Sequence, residues 1–167
     1  MEPIIIPFES SSLGRVDFDA RVTTGDHKSF KAVRFKLDSG SDFTTIDCKD
    51  LDNLGYTHEF LKSCQFHPTN AFTASSDIKL QYITNVSIKF GYREIQGCRI
   101  FFAFGTQLRS LFGSDILKYF NWEVNFDESL LRLTQTVKKP LLSTGENSLQ
   151  IYSVEGKGNG DNASSCS

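Results

Sequence analysis

The chain has little of what metal or redox chemistry needs: four cysteines, three histidines and one methionine in 167 residues. Cys48, Cys64, Cys98 and Cys166 are widely spaced and form no Cys-x-x-Cys unit, so neither a zinc cluster nor a dithiol redox pair is favoured. His27, His58 and His67 lie in polar or turn-like surroundings without the spacing of metal ligands, and read as surface side chains. No metal and no cofactor are expected. Charge of one sign is also missing. A formal net charge of −2 and a pI near 5.9 argue against the basic face that nucleic-acid binding requires. No apolar run reaches the length of a membrane span, and the N-terminal residues lack a charged segment followed by an apolar core. The expectation is a cytoplasmic protein with reduced thiols and no membrane partner. With no repeat and no second hydrophobic block, the length fits one domain with a core of its own.

What is present is β-pattern. Ile4-Ile5-Ile6 followed by Pro7 reads as a short strand suited to an edge or an end. From Arg15 to Thr23, Val16, Phe18, Ala20 and Val22 alternate with charged residues, predicting a strand with one wet face. Thr24-Gly25-Asp26-His27 supplies a turn, and Ser29 to Leu37 returns as its partner. A short helical turn is expected around Lys49 to Leu54. Phe72 to Ile83 reads as a hairpin with its tip near Ala74 to Asp77, and Val86 to Phe90 and Ile95 to Phe104 as further strands. Leu111 to Phe120 is the one segment with a good helical pattern, with Ser114 placed to cap it and Asp115 in its first turn. Trp122 to Phe126 and Leu130 to Thr134 make a last hairpin. Residues 138–167 turn to Gly, Ser, Asn and Lys, interrupted by the apolar pairs Leu141-Leu142 and Ile151-Tyr152, and are expected to be a disordered tail after a domain of residues 1–137.

Within this pattern one break stands out. Val33, Phe35 and Leu37 share a strand face, and the strand ends at Asp38-Ser39-Gly40, which presents a carboxylate at a strand end. Asp42 follows, then Thr44, Thr45 and Ile46 can resume a half-buried run. The triplet alone is a weak signal, since ordinary turns contain such residues.

The order of hairpin, Asp-Ser-Gly loop, second hairpin, strand, Leu111-Phe112-Gly113 turn, helix and hairpin resembles the retropepsin-like aspartic proteases, single-lobed enzymes that work as homodimers. Phe35 to Asp42 is similar to the family's catalytic loop, and Leu111 to Leu117 to its second signature of two apolar residues and Gly before a helix. Ile6 to Glu9 looks like its entry strand, and Thr73 to Ser76 like its flap. Ser75 and Ser76 stand where the family often has glycine, and Ser114 where retroviral members have arginine. The resemblance implies an all-β fold with one short helix, closed into a barrel lobe and carrying a flap hairpin. It implies Asp38, Ser39 and Gly40 as the catalytic loop and Asp42, Ala74, Ser75 and Ser76 as substrate-binding positions. For Asp42 a local turn cap is an equal alternative, and for Asp115 the helix-start role is preferred.

The implied chemistry explains the residue types. One ionised carboxylate is a base but not an acid, so it can perform only half of amide hydrolysis. Two carboxylates about 3 Å apart cannot both ionise cheaply, so they hold one proton jointly and supply both functions. With one Asp-Ser-Gly per chain, the second Asp38 has to come from another copy across a two-fold axis. Ile4 to Ile6 and Leu130 to Val137 are the segments expected to pair between chains, because edges so apolar seldom stay exposed. Three readings follow: a homodimeric endopeptidase acting on a peptide or protein; a catalytically silent dimerisation or peptide-binding module of the same fold; and an unrelated all-β interaction domain.

Overall fold

The computed structural model describes residues 2–68, 71–72, 77–136 and 150–153, with backbone alone at 71–72 and 150–153. The opening strands are those the alternation demands. β1 (Ile4–Pro7) and β2 (Glu9–Ser10) precede β3 (Val16–Thr23), which pairs antiparallel with β4 (Phe30–Leu37), Ala20 opposite Val33. On β3, Val16, Phe18, Ala20 and Val22 are buried, while Asp19 is exposed, as a period of two requires. Two short helices follow, α1 (Cys48–Asn53) and α2 (His58–Ser63). Asp47 caps the first by accepting from Lys49 N, and Thr57 caps the second by accepting from Phe60 N.

β5 (Ala71–Phe72) and β6 (Asp77–Ile78) pair antiparallel, Ala71 opposite Ile78. The expected flap tip, with Ala74, Ser75 and Ser76, lies outside the described residues. β7 (Gln81–Phe90) and β8 (Arg93–Phe102) form a long hairpin. β7 was expected as two strands; it continues through a bulge in which Asn85 takes φ 59° and the register shifts between Ile83 and Val86. The chain ends with β9 (Leu111–Phe112), α3 (Ser114–Leu117), β10 (Phe120–Asn125), β11 (Leu130–Gln135) and β12 (Gln150–Ser153).

The result is mostly β with a few short helices. A seven-stranded sheet in the order β12-β8-β7-β3-β4-β9, with β2 on β3, curls as a half-barrel beside a three-stranded sheet β1-β11-β10. No helix among the described residues is long and apolar enough to cross a membrane.

Four expectations change. Helix α2 was missed, because Leu61 is its only buried residue and one apolar residue has no periodicity to read. The expected helix from Leu111 shrinks to Ser114–Leu117, since Leu111 and Phe112 are drawn into a parallel ladder with β4, Lys36 opposite Leu111. β12 falls inside the stretch expected to carry no element: Ile151 lies opposite Ile95 on the edge of β8. Finally, the segments expected to pair between chains pair with each other in one chain, Ile4 opposite Leu133 and Ile6 opposite Leu131. All four of these side chains are buried, so their apolar character is used within the fold.

The main core centres on Phe112, whose ring lies 5.5 Å from that of Phe18, 6.0 Å from Phe35 and 6.1 Å from Phe90. One β9 residue thus packs on β3, β4 and the end of β7. A buried Gln81 ties α2 to this core, its Nε2 donating to the carbonyls of Leu61 (3.1 Å) and Cys64 (3.0 Å). Phe112→Ala removes a fully buried ring and is expected to cost about 3–5 kcal/mol, whereas Leu13→Ala, at a side chain 93% exposed, is expected to stay within about 0.5 kcal/mol. Urea unfolding midpoints of the two variants give the comparison.

Candidate functional site

The acidic loop leaves β4 and wraps around β9. β9 has β4 on one side, in parallel, and Thr45 on the other, where Thr45 N donates to Leu111 O (3.0 Å) and Leu111 N to Thr45 O (3.1 Å). The chain between these two flanks is Asp38 to Thr44. It is anchored at its start by Asp38 N donating to Phe112 O (3.0 Å), and in its middle by Ser114 N donating to Ser41 O (2.8 Å).

The turn is stabilised from within. Ser41 N donates to Asp38 O (3.1 Å), and Gly40 N donates to the Asp38 Oδ1 (3.2 Å), fixing the carboxylate over its own turn. Asp38 is half-buried, and Ser39 and Gly40 are exposed. The Ser41 hydroxyl donates to Phe43 O (2.7 Å). Asp42 is exposed and is not a turn cap: no hydrogen bond joins its carboxylate to another described residue. It lines a cavity of about 180 Å³ with Phe43, His67, Arg99, Phe101 and Tyr119. Phe43, His67 and Phe101 make one aromatic wall of it, with ring separations of 4.7 to 5.5 Å. Ser39 faces elsewhere, onto a groove of about 540 Å³ that it shares with Leu13, Arg15, Lys36, Leu37 and Trp122.

Two contacts hold the loop against the second signature. The first is a close approach. A Cβ on Gly113 would stand 2.5 Å from Phe43 O and 2.9 Å from Ser41 O, so only glycine permits this packing. Gly113 also takes the helix-cap position expected of Ser114, and no side chain caps α3. The second contact is Asp115. Its carboxylate accepts from Thr44 N (2.9 Å), from the Thr44 hydroxyl (2.6 Å) and from Ile116 N (3.0 Å). The helix-start role is therefore real but secondary. The same Thr44 hydroxyl accepts from Gly113 N (3.0 Å), closing a buried network. This pairing was missed from sequence, since nothing local to Asp115 points to a residue 71 positions away.

Among the described residues, no three His, Cys, Asp or Glu side chains converge to hold a metal. Cys48, Cys64 and Cys98 are free thiols, and burial pushes Cys98 well above the ordinary thiol value.

No family model matches the sequence, and no curated protein matches it either. Among solved structures, the chain is similar to the crystal structure of a retropepsin-like aspartic protease from Rickettsia conorii, with a TM-score of 0.55 and 22% identity over 78% of this chain and 89% of that one. At that identity the likeness is one of fold.

Two substitutions test the site's scaffold. Gly113→Ala has to push the Phe43 carbonyl aside and is expected to cost about 1–3 kcal/mol, with the loss of hydrogen-exchange protection concentrated at Thr44 and Thr45 amides. Burial raises the Asp115 carboxyl above its ordinary value, outweighing the three donors that pull it down. The folded chain then binds that proton more tightly than the unfolded one. The stability this contributes is complete below the ordinary aspartate value and is lost as pH rises through the raised folded value. The stability advantage of the native chain over Asp115→Asn is accordingly expected to fall as pH rises from the ordinary aspartate value of about 3.9 upward. Urea midpoints across that range check the sign, and an advantage that grows with pH would show that the donors win.

Proposed function

We propose that the chain is an aspartic endopeptidase in which Asp38 from each of two copies forms the catalytic pair. The observation that carries this reading is the Asp38-Ser39-Gly40 turn, held at the end of β4 by the β9 carbonyl in a fold like that of a retropepsin-like aspartic protease. Fold alone does not fix function. The turn adds to it a carboxylate whose one hydrogen bond among the described residues is from the Gly40 N–H of the same turn, beside a glycine and a hydroxyl.

In the proposed reaction the two carboxylates share one proton. The unprotonated member takes a proton from a water, the water oxygen bonds to the substrate carbonyl carbon, and the protonated member gives its proton to the carbonyl oxygen. Collapse of the resulting diol breaks the C–N bond as the amine takes a proton from the carboxylate that first acted as base and a diol hydroxyl returns its proton to the other carboxylate, leaving a carboxylic acid, a free amine and the pair with one shared proton. Ser39 braces the two loops across the dimer, Asp42 and the flap residues Ala74, Ser75 and Ser76 bind the substrate backbone, and the aromatic-walled cavity takes a substrate side chain.

The second copy needs an edge. β11 is paired on both sides, which leaves β1 and β10 as the edges of the small sheet. Of these, β10 carries Trp122, 41% exposed, which lines the same groove as Ser39. An antiparallel β10 pair across a two-fold axis is the arrangement proposed to bring the two loops together.

Asp38→Asn is expected to lower cleavage of a mixed peptide library by about a thousand-fold or more, without weakening the dimer. Because two carboxylates in contact take up a proton jointly, the native dimer is expected to loosen as pH rises and the Asp38→Asn dimer is not. Trp122→Glu is expected to give monomers in sedimentation at tens of micromolar (roughly the range where a weak obligate dimer still forms) and to lose cleavage with them. Cleavage surviving in Asp38→Asn would eliminate the mechanism. A stable dimer that cuts nothing would select the silent peptide-binding module.

A further inference from the structure

The outer edge of β8 carries two different partners. Near its C-terminal end, Phe101 N donates to Thr44 O (2.9 Å) and Ile46 N donates to Phe101 O (2.9 Å), so the return of the acidic loop occupies the edge there. Near its N-terminal end the edge is covered by β12, in the register Gln150 opposite Gln96 through Ser153 opposite Arg93. Between the two lies Gly97, with φ 75° and no ladder partner, forming part of the wall of the cavity that Asp42 lines. β12 is the terminal strand of its sheet and pairs with β8 alone.

We propose that this edge is a strand-docking site that accepts β12 from a second copy of the chain as well as from its own. A strand added to a sheet edge is held chiefly by main-chain hydrogen bonds, which are the same whichever copy supplies it. The second copy provides an identical segment, Gln-Ile-Tyr-Ser, whose β-branched and aromatic residues favour extended backbone. Exchange therefore creates no new contact and breaks none, the condition under which strand swapping between identical chains is easy. Only the tether, residues 136–149, distinguishes the two sources. Tethering makes docking of the chain's own strand intramolecular, and effective concentrations on the order of millimolar are usual for short flexible linkers, which sets the scale of protein concentration for the test. A four-residue ladder is short, so the strand can leave and return without unfolding the sheet beneath it.

The proposal does not rest on protease activity or on the β10 edge, and its test is made where that edge is disabled. In Trp122→Glu, Cys166→Ser full-length chains, Glu94→Cys is placed in one copy and Tyr152→Cys in the other. These positions are directly opposite in the ladder, and such pairs stand about 4.5–5.5 Å apart at Cα, within disulfide range. Mixing at about millimolar concentration, the order set by the tether, followed by mild oxidation is expected to give a covalent heterodimer. A free peptide spanning Ser148 to Glu155 is expected to suppress it by about ten-fold when present in similar excess over the tethered strand. The chain carrying both cysteines reports the register: it is expected to form the internal bond when dilute. Internal bond without heterodimer would overturn the exchange, and neither bond would overturn the docked register itself. A heterodimer that the peptide leaves untouched would also overturn it, since the link would then not arise at this edge.

Discussion

The structure depends on the missing side chain of Gly113. Because no Cβ intervenes, the carbonyls of Ser41 and Phe43 come close to the Gly113 backbone, and at that separation the Thr44 hydroxyl can accept from Gly113 N while donating to Asp115. β9 is then gripped on both sides, by β4 and by Thr45, and Phe112 is carried into the centre of the aromatic core. The Asp38 turn is thereby built on two strands and a buried polar network. A site supported in this way is more exact than one borne on a loop alone.

Much of the fold was legible because period-two alternation, clearest on β3, is a strong local signal, and burial follows it there from Val16 to Val22. What was not legible is what long-range pairing decides. Leu111 and Phe112 have an apolar pattern equally consistent with a helix, and only their ladder to β4 makes them a strand. Ile151 and Tyr152 look like strand formers, yet nothing in their neighbourhood says that the edge of β8 is open to them. The apolar strands at the two ends of the domain were read as sticky edges between chains, whereas they satisfy each other.

For the candidate site the division is similar. The Asp38 turn and the second signature were found because each is a compact local pattern. Their joining residues, Thr44 and Asp115, were overlooked because a threonine after a turn and an acid in a first helical turn both have ordinary local explanations. Ser114, chosen as a cap, proved to contribute its backbone N–H to Ser41 instead.

The gap of 71 positions between Thr44 and Asp115 also has a kinetic meaning. A loop of that size has to close before any of these bonds can form, and the entropy of closure is lost before the contacts compensate. The strand that ends in Asp38 can pair with β3 as soon as both are made, but its second ladder partner, β9, and the brace at Asp115 are synthesised only with residues 111–115. Until those residues emerge, a nascent chain carries the acidic tripeptide without the β9 carbonyl and the Asp115 carboxylate that hold it.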